Sequence, residues 1–187
     1  MPARPAGWIL NDVIVGGPGF IAVGGGSPGR ARSVPRALIW VSDAGRAWQS
    51  VPLFGDAAEG TIRAIAPTES GFVAVGEGPE GAAVWSSSDG IGWQRIPHAD
   101  VFAGSVMVDV ANGPAGLVAV GCEGGIDCAT SRSWRSADGI TWEALASPPP
   151  GLPLAIEATE DGYLVAGQQA PAAVSYTHLT LPTTERV

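Results

Sequence analysis

The sequence predicts an all-β chain of repeated antiparallel sheets, and three observations carry that expectation. Glycine and proline are abundant, with 27 and 16 among 187 residues, which suits many short strands joined by turns. No window places apolar residues at i, i+3, i+4 and i+7 for long enough to form an amphipathic helix. Two short strings recur along the chain with a step near 45 residues, long enough for several strands per unit.

The first string is Trp85-Ser86-Ser87-Ser88-Asp89-Gly90-Ile91-Gly92-Trp93. It returns as Trp134-Arg135-Ser136-Ala137-Asp138-Gly139-Ile140-Thr141-Trp142, and in drifted form from Trp40 through Asp43 and Gly45 to Trp48. Each copy reads as a strand, a tight turn and a return strand. The second string runs Gly19 to Gly24, Gly71 to Gly76, Gly116 to Gly121 and Gly162 to Gly167. Its glycine-to-glycine steps are 52, 45 and 46, and the tryptophan steps from Trp40 to Trp85 to Trp134 are 45 and 49. That period, with four strands in an up-and-down meander per unit, fits the blade of a β-propeller. The fold expected is a β-propeller fragment of three full four-stranded blades and part of a fourth.

The units follow in order. Blade one covers residues 11–52 and carries a long loop from Gly25 to Pro35. Blade two, residues 61–97, is the cleanest: Thr61 to Ala66, Phe72 to Gly76, Ala82 to Ser87 and Trp93 to Pro97 are its strands. Phe72-Val73-Ala74-Val75 is apolar without alternation, as expected of a strand covered on both faces. Blade three spans residues 105–146 and holds both cysteines, Cys122 and Cys128, around a glycine-rich loop. A hairpin-loop disulfide is the expected role if the protein is exported. Blade four covers residues 154–173.

From Val174 to Thr183 the chain resembles the translation of a sequencing adaptor, so residues 174–187 are expected to be a non-native tail left out of functional reasoning. An arc cut in this way is expected to expose apolar sheet faces at both ends.

Ser-x-Asp-Gly-x-x-Trp between two strands resembles the Asp-box, or BNR-type, repeat of sialidase-like β-propellers. Asp43, Gly45 and Trp48 keep the Asp-x-Gly-x-x-Trp spacing of that family, with the serine displaced to Ser42. Asp89 and Asp138 keep the Ser-x-Asp half through Ser87 and Ser136. Their glycines, Gly90 and Gly139, follow at once, and Trp93 and Trp142 come one residue early. The resemblance implies that the box lies on an outer turn, away from the central site. The residue chemistry agrees, since an aspartate opening a turn accepts backbone N–H bonds and glycine takes the positive φ. The fourteen motif residues (Trp40, Asp43, Gly45, Trp48, Trp85, Ser87, Asp89, Gly90, Trp93, Trp134, Ser136, Asp138, Gly139 and Trp142) are therefore assigned a structural role.

The remaining candidates are weak. Arg95-Ile96-Pro97 is similar to a sialidase motif whose arginine holds the substrate carboxylate, but it follows a box where the family's precedes one. Tyr163 occupies the Phe72 position of its unit and so does not stand as a sialidase nucleophile. His98 reads as a loop residue, and Glu157, Glu160 and Asp161 as a solvated acidic cluster. No set of residues reads as catalytic, cofactor-binding or metal-binding. The formal charge is -8, with a pI near 4.6 and ten scattered arginines as the only bases, which disfavours nucleic acid as a partner. No apolar run is long enough to span a membrane as a helix.

With no catalytic set among its residues, the chain is expected to be a non-enzymatic binding or scaffolding propeller with a protein or glycan ligand, and the resemblance implies an exported bacterial protein. The alternative is a piece of a sialidase-like glycoside hydrolase lacking most catalytic residues. An assembly-factor propeller is a third reading.

Overall fold

The computed structural model describes residues 7–27, 34–97, 99–124, 128, 130–169 and 173–179, the last stretch and Gln169 as backbone only. The described chain is all-β, with two single-turn 3-10 helices at Gly55–Ala58 and Asp100–Phe102. It forms four antiparallel meanders. Sheet 1 contains β1 (Trp8–Gly16), β2 (Gly19–Gly26), β3 (Arg36–Ser42) and β4 (Gln49–Val51). Sheet 2 contains β5 (Thr61–Thr68), β6 (Gly71–Gly78), β7 (Gly81–Ser87) and β8 (Gln94–Arg95). A single residue pair, Gly25↔Thr61, joins sheets 1 and 2.

Sheet 3 contains β9 (Ser105–Gly113), β10 (Gly116–Glu123), β11 (Thr130–Ser136) and β12 (Glu143–Ala144). Sheet 4 contains β13 (Leu152–Thr159), β14 (Gly162–Gln169) and β15 (Ala173–Leu179). β15 therefore lies on the segment whose sequence resembles a translated adaptor, and it pairs with β14 from Gln169↔Ala173 to Tyr163↔Leu179. Valine, tyrosine and threonine in that segment favour extended backbone.

No sheet has a core of its own; the cores lie between sheets. Ile21, Val23 and Ile39 of sheet 1 pack on Ile65, Ala74 and Trp85 of sheet 2. The opposite face of sheet 2, with Val73, Val75 and Val84, packs on Val110, Ala119 and Trp134 of sheet 3. Val118 and Val120 of sheet 3 then meet Ile156, Tyr163 and Val165 of sheet 4. Sheets 2 and 3 are thus covered on both sides, which is why β6 and β10 carry unbroken apolar runs. Burial of this kind is the main favourable term holding successive sheets together.

The first strands β1, β5, β9 and β13 lie side by side along one edge of the stack. Each carries a β-bulge at the same phase, setting Asn11, Arg63, Val108 and Leu154 outside the pairing register. A bulge re-aims the side chains beside it. Here it turns the residues that follow toward the neighbouring first strand.

Candidate functional site

The tryptophan-bracketed turns fix their own backbone. Ser87 Oγ accepts the Gly90 N–H at 2.9 Å, while Asp89 Oδ1 accepts those of Ile91 at 2.8 Å and Gly92 at 2.7 Å. Ser136 and Asp138 repeat the set with Gly139, Ile140 and Thr141 at 2.8, 2.8 and 2.7 Å. In the drifted copy Ser42 Oγ accepts from Gly45 at 2.9 Å, and Asp43 is exposed. Gly45, Gly90 and Gly139 sit at φ 73, 80 and 74°, a region that other residues resist. Trp48, Trp93 and Trp142 each donate Nε1–H to the carbonyl of that glycine, at 3.1, 2.9 and 3.2 Å.

The leading tryptophans have a task unlike that of the trailing ones. Trp85 and Trp134 are fully buried and donate Nε1–H to the Ala57 and Val101 carbonyls at 2.9 and 2.8 Å; Trp40 is half-buried. The backbone N–H bonds to Thr141 and Ile140 pull the Asp138 carboxyl down to about 2, and those to Gly92 and Ile91 lower Asp89. Oδ1 of each carboxylate is thus engaged by its own turn.

The other sequence candidates are dispersed. Arg95 stands on β8, an outermost strand, with its guanidinium 5.7 Å from the Trp85 ring centroid. Tyr163 is buried and donates its hydroxyl hydrogen to the Gly116 carbonyl. Cys122 and Cys128 are joined by a disulfide with a Cα–Cα distance of 5.1 Å. His98 lies outside the described residues. Glu160 and Asp161 are exposed in the turn after β13, whereas Glu157 lies within β13.

The arrangement with chemical content is on the first strands. A cleft of about 560 Å³ runs along β1, β5, β9 and β13, lined by Asp12, Arg63, Asp109, Asn112 and Glu157 among others. Asp109 sits one residue past its bulge; Oδ1 accepts the Val110 N–H at 2.8 Å and Oδ2 accepts the Ile156 N–H of the next sheet at 2.7 Å. Asp12 does the same, with Val13 at 2.7 Å and Ile65 of the next sheet at 3.0 Å. Asn11 donates its amide to the Ile62 carbonyl at 2.6 Å, and Arg63 pairs with Glu77 at 2.9 Å.

The carboxyl of Asp109 is pushed up to about 6, chiefly by burial away from water. The negative charges of Asp12 and Glu157 add to that rise, while the two backbone N–H bonds oppose it. Such a group changes charge near neutral pH, a property that acid–base sites use. Among the described residues no group of three or more His, Cys, Asp or Glu side chains is placed to hold a metal ion. Among the same residues no helix is long and apolar enough to cross a membrane.

Sequence reasoning passed over Asp12 and Asp109, although a signal was present. Each stands seven residues before the glycine that opens the second strand, where sheets 2 and 4 have Ala64 and Ala155.

No family model matches the chain, and no curated protein does. Three solved structures resemble it distantly. One comes from work on the GH130 family of mannoside phosphorylases, described as containing glycoside hydrolases that target β-1,2 mannosidic linkages in Candida mannan. It is 13% identical with a TM-score of 0.49, over 84% of this chain and 60% of that one. A protein from Parabacteroides distasonis, assigned only provisionally as a glycoside hydrolase, is 10% identical, TM-score 0.49, over 84% and 62%. A glycosyl hydrolase from Bacteroides ovatus is 14% identical, TM-score 0.48, over 84% and 60%. The chain thus spans about 60% of the length of these structures. None of the three is described as an Asp-box protein or a sialidase.

Proposed function

We propose that this chain is part of a carbohydrate-active β-propeller of the glycoside-hydrolase kind, with its glycan site in the cleft along the first strands. The observation that carries this reading is the convergence of Asp12, Asp109 and Glu157 on one cleft from three different sheets. Glycosidic-bond cleavage needs two carboxyl groups in unlike states, one protonated to assist the leaving group and one ionised. Burial favours the neutral form of Asp109 below about pH 6, which suits the acid. Glu157 is exposed on the same cleft and is the candidate for the second carboxyl group.

The Asp-box turns serve as staples at the rim in this reading, and the sialidase assignment widens to the glycoside-hydrolase class. The disulfide between Cys122 and Cys128 supports an extracytoplasmic location, since such bonds persist in oxidising compartments. Residues 174–187 keep their reading as a non-native tail.

A second reading, glycan binding without turnover, draws on one observation. Both oxygens of Asp12 and of Asp109 already accept backbone N–H bonds, a clamp that holds sheets together without chemistry.

Hydrolysis and phosphorolysis of a panel of aryl glycosides, mannosides and sialosides included, test the proposal. The expected result is turnover that falls at least about 100-fold in Glu157→Gln while the fold is kept. Glycan binding without turnover selects the second reading. Neither binding nor turnover overturns both.

A further inference from the structure

We propose that the substrate of the glycan site carries an apolar aglycone, an alkyl or aryl group, held in a separate pocket that adjoins the cleft. The proposal rests on the glycan reading of that cleft. The pocket has a volume of about 580 Å³, within the usual range for a small-molecule site. Its walls come from three successive sheets: Val34 and Pro35 before β3, Pro79 in the turn after β6, and Val106 of β9. Cys128 joins them, held by its disulfide to Cys122. The pocket therefore spans the internal junctions from sheet 1 to 2 and from sheet 2 to 3.

Two residues connect this pocket to the cleft. Arg63 and Val108 line both cavities, and both stand outside the pairing register at the bulges of β5 and β9. The chemistry changes across that divide. The cleft presents Asp12, Asp109 and Glu157, whereas most of the pocket lining is apolar. Arg63 and Glu77, the charged side chains among the described lining residues, pair with each other at 2.9 Å.

That lining favours one kind of occupant. A second sugar ring in the pocket would bury hydroxyl groups with few partners to meet them, which is costly. An alkyl or aryl group carries no such cost and is driven in by the water it sheds. It would also cover Val34, an apolar side chain that is 56% exposed. Asp109 follows Val108 directly and lines the cleft but not the pocket. The acid of the proposed reaction thus stands on the sugar side of the divide, near where sugar and aglycone join.

Calorimetric titration of the whole chain with methyl and hexyl glycosides of the same sugars, and with 1-hexanol, tests this. The hexyl glycoside of a bound sugar is expected to bind at least about 30-fold tighter than the methyl glycoside. Val34→Asp should remove most of that gain and leave methyl-glycoside affinity unchanged. On wild type, nuclear Overhauser effects should connect the hexyl chain to the Val34 and Val106 methyl groups, a readout that needs no variant. Equal affinities for the two glycosides, a gain retained in Val34→Asp, or a hexyl chain that contacts neither valine overturns the aglycone pocket and leaves the glycan reading standing. A hexyl glycoside that binds no tighter than 1-hexanol overturns the glycan reading, and the inference with it. Binding of none of the glycosides does the same.

Discussion

Asp138 and Asp109 are the same side chain under opposite electrostatic regimes. Asp138 lies in the open and is surrounded by backbone donors, so its folded carboxyl titrates below the free value, at about 2. Its contribution to stability is present above the unfolded pKa of about 3.9 and is lost as pH falls through about 2. Asp109 is withdrawn from water, so its folded carboxyl titrates above the free value, at about 6. Its contribution is complete below the unfolded pKa of about 3.9 and is lost as pH rises through about 6. The difference in unfolding free energy between wild type and Asp109→Asn should therefore shift against wild type between pH 4 and 7. Urea titrations across that range measure it, and a flat difference would contradict the assignment. For Asp138→Ala the expected sign is the reverse, with wild type losing its advantage only in strong acid.

Single sheets draw their stability from their neighbours, so element-scale substitutions should report on junctions. Trp85→Phe keeps most of the ring contact but orphans the buried Ala57 carbonyl, which should cost about 1–3 kcal/mol in urea unfolding. Reducing the disulfide between Cys122 and Cys128 frees a short loop, with an expected loss of about 2 kcal/mol. The meanders were legible in the sequence because their grammar is local. A positive-φ glycine, a serine three residues before it and a flanking tryptophan all act within one turn, as Ser87, Gly90 and Trp93 do. The cleft was not legible in the same way. Asp12 gains its meaning from Ile65 and Asp109 from Ile156, partners 53 and 47 residues away. Glu157 looked like one member of a solvated acidic turn with Glu160 and Asp161. A strand pairing places it on the cleft and leaves the other two outside.

At the scale of the molecule, the repeat produces a stack with a lined inner edge and a stapled outer rim. The two edges use the same residue types for different ends. At the rim, Asp89 and Asp138 bond within their own turns among the described residues. Along the inner edge, Asp12 and Asp109 bond between sheets and face a cleft. The proposed function places ligand chemistry along the inner edge, and this is the claim on which that reading stands. Amide chemical-shift mapping during titration with a glycan from the substrate panel tests it directly. The account predicts perturbations centred on Asp12, Asp109 and Glu157. Perturbations centred instead on the Asp89 and Asp138 turns would contradict it.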